Sequence, residues 1–282
     1  MRITRSFSLV MAVSLAGCMP WRAPERLPEY TSVEAARSAA DDHAAFLNLA
    51  GQGLEQIPAG IGDLAHVVKL SLRRNPLKAL PPDVGGWDQL RWLDLGEAAL
   101  LSIPGQLGGL GKLEVLYLSD NALTELPAAV GGLTQLRYLN LDRNQLSALP
   151  PAIGQLQALR WLRLDGNALT GLPDELGSLA GLQRLYLRGN RLTALPDGLR
   201  GLKQLTDLSL NGNPLVTIPA VVTELPALQR LDLQDAQLTT APSDEAMRKM
   251  QALTTLMLQR NAFTTGEQQR IRAALPNCYI AF

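Results

Sequence analysis

The chain has very few of the residues that build metal sites, disulfides and hydrolytic centres. Its 282 residues include two cysteines and two histidines, which lie far apart as Cys18, His43, His66 and Cys278. A structural zinc site usually needs four such ligands at short spacings, so the sequence predicts no metal. It also contains no cofactor motif, and no nucleophile can be paired with a histidine from the pattern. We therefore expect a protein that is not an enzyme.

Net charge and long apolar runs are also missing. The sequence has 26 Lys and Arg against 26 Asp and Glu, and a neutral chain has no basic field for following a phosphate backbone. This argues against a nucleic-acid partner. The longest mostly apolar run, residues 7–16, is about half as long as a membrane-spanning helix. The apolar content of 46% is nevertheless sufficient for a folded core.

The start of the chain is organised like an export signal. Two arginines precede the apolar run 7–16, and Leu15-Ala-Gly-Cys18 closes it with small residues. This ending resembles the lipobox of bacterial lipoproteins, in which the cysteine is lipidated and becomes the first residue of the mature chain. The resemblance implies a signal peptide over residues 1–17 and a membrane anchor on Cys18. The alternatives are an ordinary cleaved signal or an uncleaved hydrophobic start.

The resemblance also implies a location and a tether. A lipidated Cys18 would hold the protein in the bacterial cell envelope, and Met19 in place of Asp points to the outer membrane rather than the inner one. Residues 18–30 contain three prolines and are expected to be an extended spacer. Thr31 and Glu34 then have the spacing of a helix capping box, which predicts an N-terminal helical cap over residues 31–43.

Most of the remaining chain is one repeat of 23 residues. The ten repeats begin at 44, 67, 90, 113, 136, 159, 182, 205, 228 and 253, where only the last step is longer, at 25 residues. The pattern LxxLxLxxNxLxxLPxxIGxL resembles the leucine-rich repeat, in the variety found in bacterial surface proteins and in Ras-linked scaffolds of eukaryotes. Together with the lipobox, the chain is similar to bacterial leucine-rich-repeat lipoproteins.

This resemblance implies an α/β solenoid, a leucine-rich-repeat horseshoe with a concave parallel β-sheet. Residues 44–277 would form the ten repeats, with short turns or helical turns on the convex side and helical caps at both ends. Residues 278–282 would form a C-terminal capping strand, because the alternate residues Cys278, Ile280 and Phe282 suit one buried face. Thr264 and Glu267 again have capping-box spacing, so a helix is expected to start there and to end near Leu275.

The repeat positions have separate physical roles, counted from the first residue of each repeat. Leucines at positions 4 and 6 share one face of a short strand, while positions 3, 5 and 7 face the other way. Proline recurs at one position in nine repeats, which excludes a long helix there. Asparagine at position 9 can bond the backbone of the bend that follows the strand, and this asparagine ladder comprises Asn75, Asn121, Asn144, Asn167, Asn190, Asn213 and Asn261.

Three repeats depart from the ladder, and one departs in length. Gln52, Ala98 and Ala236 replace the asparagine, so their bends must be satisfied in another way and are expected to be looser. The ninth repeat carries two extra residues after Ser243. Because this serine can cap a helix, the outer side of that repeat is expected to be helical.

The concave face is the expected binding surface, because it arrays the outward side chains of stacked strands. Five of the nine Trp and Tyr residues fall at positions 3 and 5 of five consecutive repeats, surrounded by arginines and aspartates of the types that dominate binding hot spots. The candidate partner-binding residues are Trp92, Asp94, Tyr117, Tyr138, Asp142, Trp161, Arg163, Asp165, Arg184, Tyr186 and Arg188. The competing interpretation is that the aromatic residues only pack against one another along the sheet.

The functional prediction is a non-enzymatic, lipid-anchored recognition scaffold of the cell envelope that binds a protein or peptide partner on its concave face. One alternative is a lipoprotein that binds glycan or peptidoglycan, because Trp and Tyr rings stack well on sugars. Another is an intracellular signalling scaffold of the Ras-linked kind, which would require the lipobox to be accidental. Repeat scaffolds host many roles, so the sequence does not identify the partner.

Overall fold

The computed structural model describes residues 27–39 and 43–282. Within them lies one sheet of twelve strands, arranged in chain order and paired in parallel. The strands are β1 (Glu29–Tyr30), β2 (Ala45–Asn48), β3 (Val67–Ser71), β4 (Trp92–Asp94), β5 (Val115–Tyr117), β6 (Tyr138–Asn140), β7 (Trp161–Arg163), β8 (Arg184–Tyr186), β9 (Asp207–Ser209), β10 (Arg230–Asp232), β11 (Thr255–Met257) and β12 (Tyr279–Ala281).

The leucine positions place the core on one side of this sheet. Leu93, Leu116 and Leu139 are paired across neighbouring strands, and all three are buried. The constant repeat length keeps equivalent leucines in register, so each side chain packs on the one before it. Burial of one leucine side chain contributes about 2 kcal/mol. Because that burial comes from neighbouring repeats, no repeat is stable alone.

Single turns of 3-10 helix close the repeats on the convex side. They span Pro82–Gly86, Gly105–Gly109, Ala128–Gly132, Pro151–Gln155, Asp174–Ser178, Asp197–Gly201 and Ala220–Glu224. Each follows a proline in extended conformation, such as Pro150 with φ −68° and ψ 145°, because the pyrrolidine ring fixes φ near this value. Neighbouring turns pack backbone against backbone: a Cβ on Gly177 would lie 1.8 Å from the carbonyl oxygen of Gly198.

The N-terminal end differs from the sequence prediction in two details. The helix α1 spans Val33–Ser38 and is capped by Ser32, whose hydroxyl accepts the N–H of Ala35 at 3.1 Å, and not by Thr31. Strand β1 lies within the predicted tether and pairs with β2, so the sheet begins before residue 31. The predicted signal peptide 1–17, the lipidation residue Cys18 and the tether up to residue 26 lie outside the described residues.

Two helices and a final strand close the C-terminal end. Helix α2 (Asp244–Arg248) lies on the outer side of the ninth repeat and is capped by Ser243, as the extra residues predicted. Helix α3 (Thr265–Ala274) is capped by Thr264, whose hydroxyl accepts the N–H of Glu267 at 3.2 Å. Ile280 in β12 is buried, while Cys278 and Phe282 pack partly against the core. No helix among the described residues is long and apolar enough to cross a membrane.

The asparagines at position 9 join each repeat to the one before it. The side-chain amide of Asn144 donates to the carbonyl oxygens of Leu118 at 2.9 Å and Leu141 at 3.0 Å, and its oxygen accepts the N–H of Leu123 at 3.1 Å. Asn167, in the next repeat, donates in turn to Leu141 at 3.0 Å. Each such carbonyl therefore receives two asparagine donors, and each asparagine satisfies a buried N–H of the preceding bend.

The two alanine replacements change the bend that precedes them. Where Asn144 accepts the N–H of Leu123, the equivalent N–H of Leu77 is bonded to the main-chain oxygen of Ala98 at 3.0 Å, and that of Leu215 to the oxygen of Ala236 at 3.2 Å. These bends require additional residues in the left-handed region, namely Lys78 and Ala99 around the first alanine and Val216 and Gln237 around the second. The backbone thus replaces the missing amide at the cost of strain.

Candidate recognition surface on the concave face

Positions 3 and 5 of the repeats lie side by side across the sheet. The pairing of β6 with β7 sets Tyr138 beside Trp161, and the pairing of β7 with β8 sets Trp161 beside Arg184. Position 3 therefore forms one continuous row on the concave face, and position 5 forms another. The candidate residues at these two positions lie in these rows as the period predicted.

The aromatic residues of these rows form a continuous ladder, which we call the aromatic ladder and define as Phe46, Trp92, Tyr117, Tyr138 and Trp161. Ring centroids of consecutive members are 6.2, 5.6, 5.0 and 5.8 Å apart, all in tilted or edge-on arrangements. Such pairs contribute about 0.5–1.5 kcal/mol each beyond the buried area. The ladder therefore stabilises the sheet across its N-terminal half.

Two of the candidate partner-binding residues, Tyr138 and Trp161, are buried, which does not fit a contact surface for a partner. Only 3% of Tyr138 and 6% of Trp161 are exposed, and together with Val115 they form a small buried cluster. Burial raises the pKa values of the Tyr117 and Tyr138 phenols, since a phenolate would have to form away from water. Little of the Tyr138 and Trp161 rings is therefore accessible to a ligand, whereas Trp92 and Tyr117 are partly exposed.

Cations cover both ends of the aromatic ladder. The Lys69 ammonium lies 4.3 Å from the centroid of Phe46 and 4.4 Å from that of Trp92, and burial lowers its pKa. At the other end the Arg184 guanidinium lies 4.2 Å from the ring centroid of Trp161. These cation–π contacts complete the packing of the ladder.

Three candidate aspartates are bonded within the sheet. Asp94 accepts the N–H of Gly96 at 2.9 Å, and burial raises its pKa. Asp142 is buried, accepts the N–H of Asp165 at 2.9 Å and bonds the Arg163 guanidinium at 2.6 Å. Asp165 accepts a backbone N–H in the next repeat, and burial together with the nearby charge of Asp142 raises its pKa. Asp142 and Asp165 therefore join neighbouring repeats and hold Arg163, whereas Asp94 fixes the bend of its own repeat.

A recess of about 750 Å³ lies on the concave face of the sixth to tenth repeats, towards the C-terminal side of the aromatic ladder. Its volume is within the range of small-molecule and peptide-side-chain sites. Strands β7 to β11 contribute its lining, which consists of Trp161, Arg163, Asp165, Arg184, Tyr186, Asp207, Leu208, Ser209, Arg230, Leu231, Asp232, Thr255 and Met257.

The recess brings together only part of the predicted site. Five predicted residues line it: Trp161, Arg163, Asp165, Arg184 and Tyr186. Six others lie outside its lining: Trp92, Asp94, Tyr117, Tyr138, Asp142 and Arg188. The prediction from sequence includes only repeats with aromatic residues at positions 3 and 5, and it therefore misses the rest of the lining. In the eighth to tenth repeats these two positions contain Asp207, Ser209, Arg230, Asp232, Thr255 and Met257.

Arginine and aspartate pairs organise the recess. Asp207 interacts with two arginines on the neighbouring strands: Arg230 bonds its Oδ1, and Arg184 Nε lies 3.8 Å from its Oδ2. On the next row the Arg163 guanidinium lies 5.5 Å from the ring centroid of Tyr186. Within residues 27–39 and 43–282 no cluster of His, Cys, Asp and Glu could hold a metal ion. What the recess offers is a set of fixed hydrogen-bond donors beside apolar and aromatic surface.

Comparison with known proteins agrees with this architecture. A leucine-rich repeat region matches residues 151–279, and a leucine rich repeat model matches residues 65–123 and 88–146. Leucine-rich repeats are therefore present in the chain. No curated protein matches it in sequence.

Among solved structures, the chain is similar to a plant peptide hormone receptor, RGFR1, in complex with RGF2 (27% identity, TM-score 0.64, 73% of this chain and 34% of the receptor). It is also similar to the leucine-rich-repeat ectodomain of the membrane receptor kinase GASSHO1/SCHENGEN3 from Arabidopsis thaliana, in complex with Casparian strip integrity factor 2 (31% identity, TM-score 0.65, 78% of this chain and 27% of the ectodomain). A third is the leucine-rich repeat domain of the type III effector XopL (27% identity, TM-score 0.66, 76% of this chain and 75% of that domain).

These similarities, together with the parallel twelve-stranded sheet, confirm the predicted solenoid with its concave sheet. The chain spans only about a third of the first receptor and about a quarter of the second.

Proposed function

We propose that this leucine-rich-repeat protein is a non-enzymatic recognition scaffold, which binds a peptide or a protein segment in the recess of its sixth to tenth repeats. The observation that carries the proposal is the recess itself, where Tyr186, Met257 and the arginine–aspartate pairs surround about 750 Å³ on the concave face. Aromatic, methionine and arginine side chains are enriched at protein interfaces. Two of the similar solved structures are receptors in complex with a partner.

The recess is better suited to this role than the aromatic ladder. The ladder rings contact one another, and Tyr138 and Trp161 are buried, whereas Tyr186 is partly exposed and lines an open recess. Binding a chain segment there requires little rearrangement, since ion pairs between neighbouring strands already hold the arginines. Preorganised donors lower the entropic cost of association.

The second part of the proposal is a lipid anchor in the bacterial cell envelope. It rests on the lipobox-like Leu15–Cys18 behind a basic and apolar start. Strand β1 is the first in the sheet, and the recess begins at β7. At about 4.8 Å per strand, this separates the recess from the anchored end by roughly 30 Å along the sheet. A partner would then be bound at the end far from the lipid.

The binding proposal is tested by affinity capture from bacterial envelope extract, with the full chain in detergent. Tyr186→Ala removes an aromatic side chain from the recess, and Tyr279→Ala removes an exposed one from the final strand as the matched control. We expect a partner that the wild type and the control retain and the recess variant loses. A partner held equally by all three proteins would place binding elsewhere, and a captured glycan would favour the carbohydrate alternative.

The anchor is tested by labelling cells with radioactive palmitate. Cys18→Ser should abolish incorporation and move the protein out of the membrane fraction, while Cys278→Ser, the matched cysteine control, should leave both unchanged. Equal labelling of the wild type and the Cys18 variant would contradict lipidation at this residue.

A further inference from the structure

Around Asp207, and beneath Arg163, the acids of the recess lie deeper than the bases. The side chains of Asp142 beneath the recess and Asp207 in its lining are 2% and 10% exposed, whereas those of Arg163, Arg184 and Arg230 are 33%, 20% and 54% exposed. The carboxylates therefore support the guanidinium groups from below. Above Asp207, solvent or an entering molecule meets mainly the hydrogen-bond donors of Arg184 and Arg230, whereas Asp165, whose side chain is 23% exposed, presents acceptors on another side of the recess.

One carboxylate serves two of these arginines. Asp207 Oδ1 accepts from both Nε and Nη2 of Arg230, and Asp207 Oδ2 faces Arg184 Nε at 3.8 Å. A guanidinium has five N–H donors, so the single oxygen engages only one edge of Arg230. The group of two arginines and one aspartate carries one net positive charge. Its two cations lie on β8 and β10, about 10 Å apart at the backbone, on either side of Asp207.

The other charges around the recess do not cancel this one directly. Arg163 faces two carboxylates, Asp142 and Asp165, so that group carries one net negative charge. Asp232, on β10, accepts the N–H and the side-chain amide of Gln234 at 3.1 and 3.2 Å. The surface is therefore polarised, with its positive part at Arg184 and Arg230 around Asp207 and negative parts at Asp165 and Asp232.

Just beyond the carboxyl ends of three of the strands that line the recess, one position of the repeat has no side chain. Position 8 of the repeats has positive φ. It is Gly51 in the first repeat, and in the second to fifth, ninth and tenth repeats it carries charged residues that pair across repeats, as Asp120 does with Arg143 and Asp235 with Arg260. In the sixth to eighth repeats the same position is glycine, at Gly166, Gly189 and Gly212. These glycines leave room for an extended chain to pass over the carboxyl ends of the strands into the recess.

We propose that Arg184 and Arg230 bind a carboxylate of the peptide partner, either an Asp or Glu side chain or a free C-terminus. Asp207 is a positioning residue that holds both guanidinium groups beneath it. The planar guanidinium matches the two oxygens of a carboxylate, and such charge-assisted bonds are stronger than neutral ones. This inference rests on the proposed peptide-binding function and specifies the chemistry of its partner.

The test begins with a random peptide library displayed on phage and selected on the full chain in detergent. Clones that also bind the Tyr186→Ala variant are removed, which leaves those that depend on the recess. Selected sequences are synthesised with a free C-terminal acid and with a C-terminal amide, and their Kd values are measured by calorimetry. Loss of binding in the amide form assigns the carboxylate to the C-terminus, and equal binding of both forms assigns it to a side chain.

The variant Arg184→Gln/Arg230→Gln removes the two cations, and Arg143→Gln/Arg260→Gln is the matched control. The control removes the same charge from two arginines that pair, as Arg230 does, with an aspartate of the preceding repeat but lie outside the recess lining. We expect Asp or Glu enrichment, or dependence on the free C-terminus, and a Kd at least about tenfold higher for the recess variant alone. Binding should weaken with salt for the wild type.

The possible outcomes separate this inference from the function on which it rests. Recess-dependent peptides that lack a required carboxylate and bind the double glutamine variant unchanged would overturn the carboxylate site and leave peptide binding intact. A library that yields no recess-dependent peptide would overturn both. Equal losses in the recess and control variants would show a general charge effect, and that would also overturn the assignment to Arg184 and Arg230.

Discussion

Removal of one ladder asparagine from the middle of the solenoid should have a cost that the hydrogen bonds define. In Asn144→Ala, the carbonyl oxygens of Leu118 and Leu141 each keep one asparagine donor, from Asn121 and Asn167 respectively. The N–H of Leu123 loses the acceptor that it has at 3.1 Å. A buried donor without a partner costs about 1–3 kcal/mol.

The repeats that carry alanine in place of the ladder asparagine show a second way in which the bend can be satisfied. Around Ala98 and Ala236 the main chain provides the acceptor, but two residues per bend then adopt positive φ. Strain of this kind costs about 1–3 kcal/mol per residue. Two strained residues would cost about 2–6 kcal/mol, and because the chain adopts the less costly arrangement, the free energy of unfolding of Asn144→Ala should be lower by about 1–3 kcal/mol.

The assay combines chemical denaturation with amide hydrogen exchange. The expected loss corresponds to a Tm lower by about 2–4 °C for each kcal/mol, and the Leu123 amide should exchange faster while the amides of distant repeats keep their protection. Asn277→Ala, at an exposed asparagine, is the control and should change neither property. An unchanged denaturation curve together with an unchanged Leu123 exchange rate would refute the role assigned to the ladder.

Three further predictions concern strain, charge and close packing. Val216 is half exposed with φ 63°, so Val216→Gly should raise the free energy of unfolding by about 1 kcal/mol in urea denaturation; a loss would show that the bend is unstrained. Because burial and the charge of Asp142 raise the pKa of Asp165 in the folded state, ionisation of this group opposes folding; Asp165→Asn should be more stable than the wild type at neutral pH, and the advantage should shrink as pH falls through the raised pKa to about pH 3. A constant difference between the two denaturation curves would contradict this. Gly177→Ala should destabilise the protein, since its Cβ would lie 1.8 Å from a backbone oxygen, whereas Gly111→Ala, with no atom within 4 Å, should not; equal Tm values for these two variants would disprove the close contact.

The sequence determined the repeat architecture because the same residue pattern recurs in each repeat. Leucines two residues apart, a proline at one position and a constant length of 23 residues suffice to predict strands, turns and their register. The helices capped by Ser243 and Thr264 followed from hydroxyl residues at helix starts. At the N-terminus adjacent hydroxyls made the choice ambiguous, and the cap is Ser32 where the spacing had favoured Thr31.

Only the tertiary structure decided which outward residues remain accessible. Tyr138 and Trp161 are outward in the strand pattern, yet neighbouring rings and the Arg184 guanidinium cover them. Exposure on a stacked sheet depends on the side chains of the adjacent strands as much as on the residue itself. The recess forms where the row of rings gives way to arginines, Asp207 and small residues such as Ser209. This change in side-chain size and depth depends on contacts between neighbouring repeats, so it cannot be predicted from the composition of a single repeat.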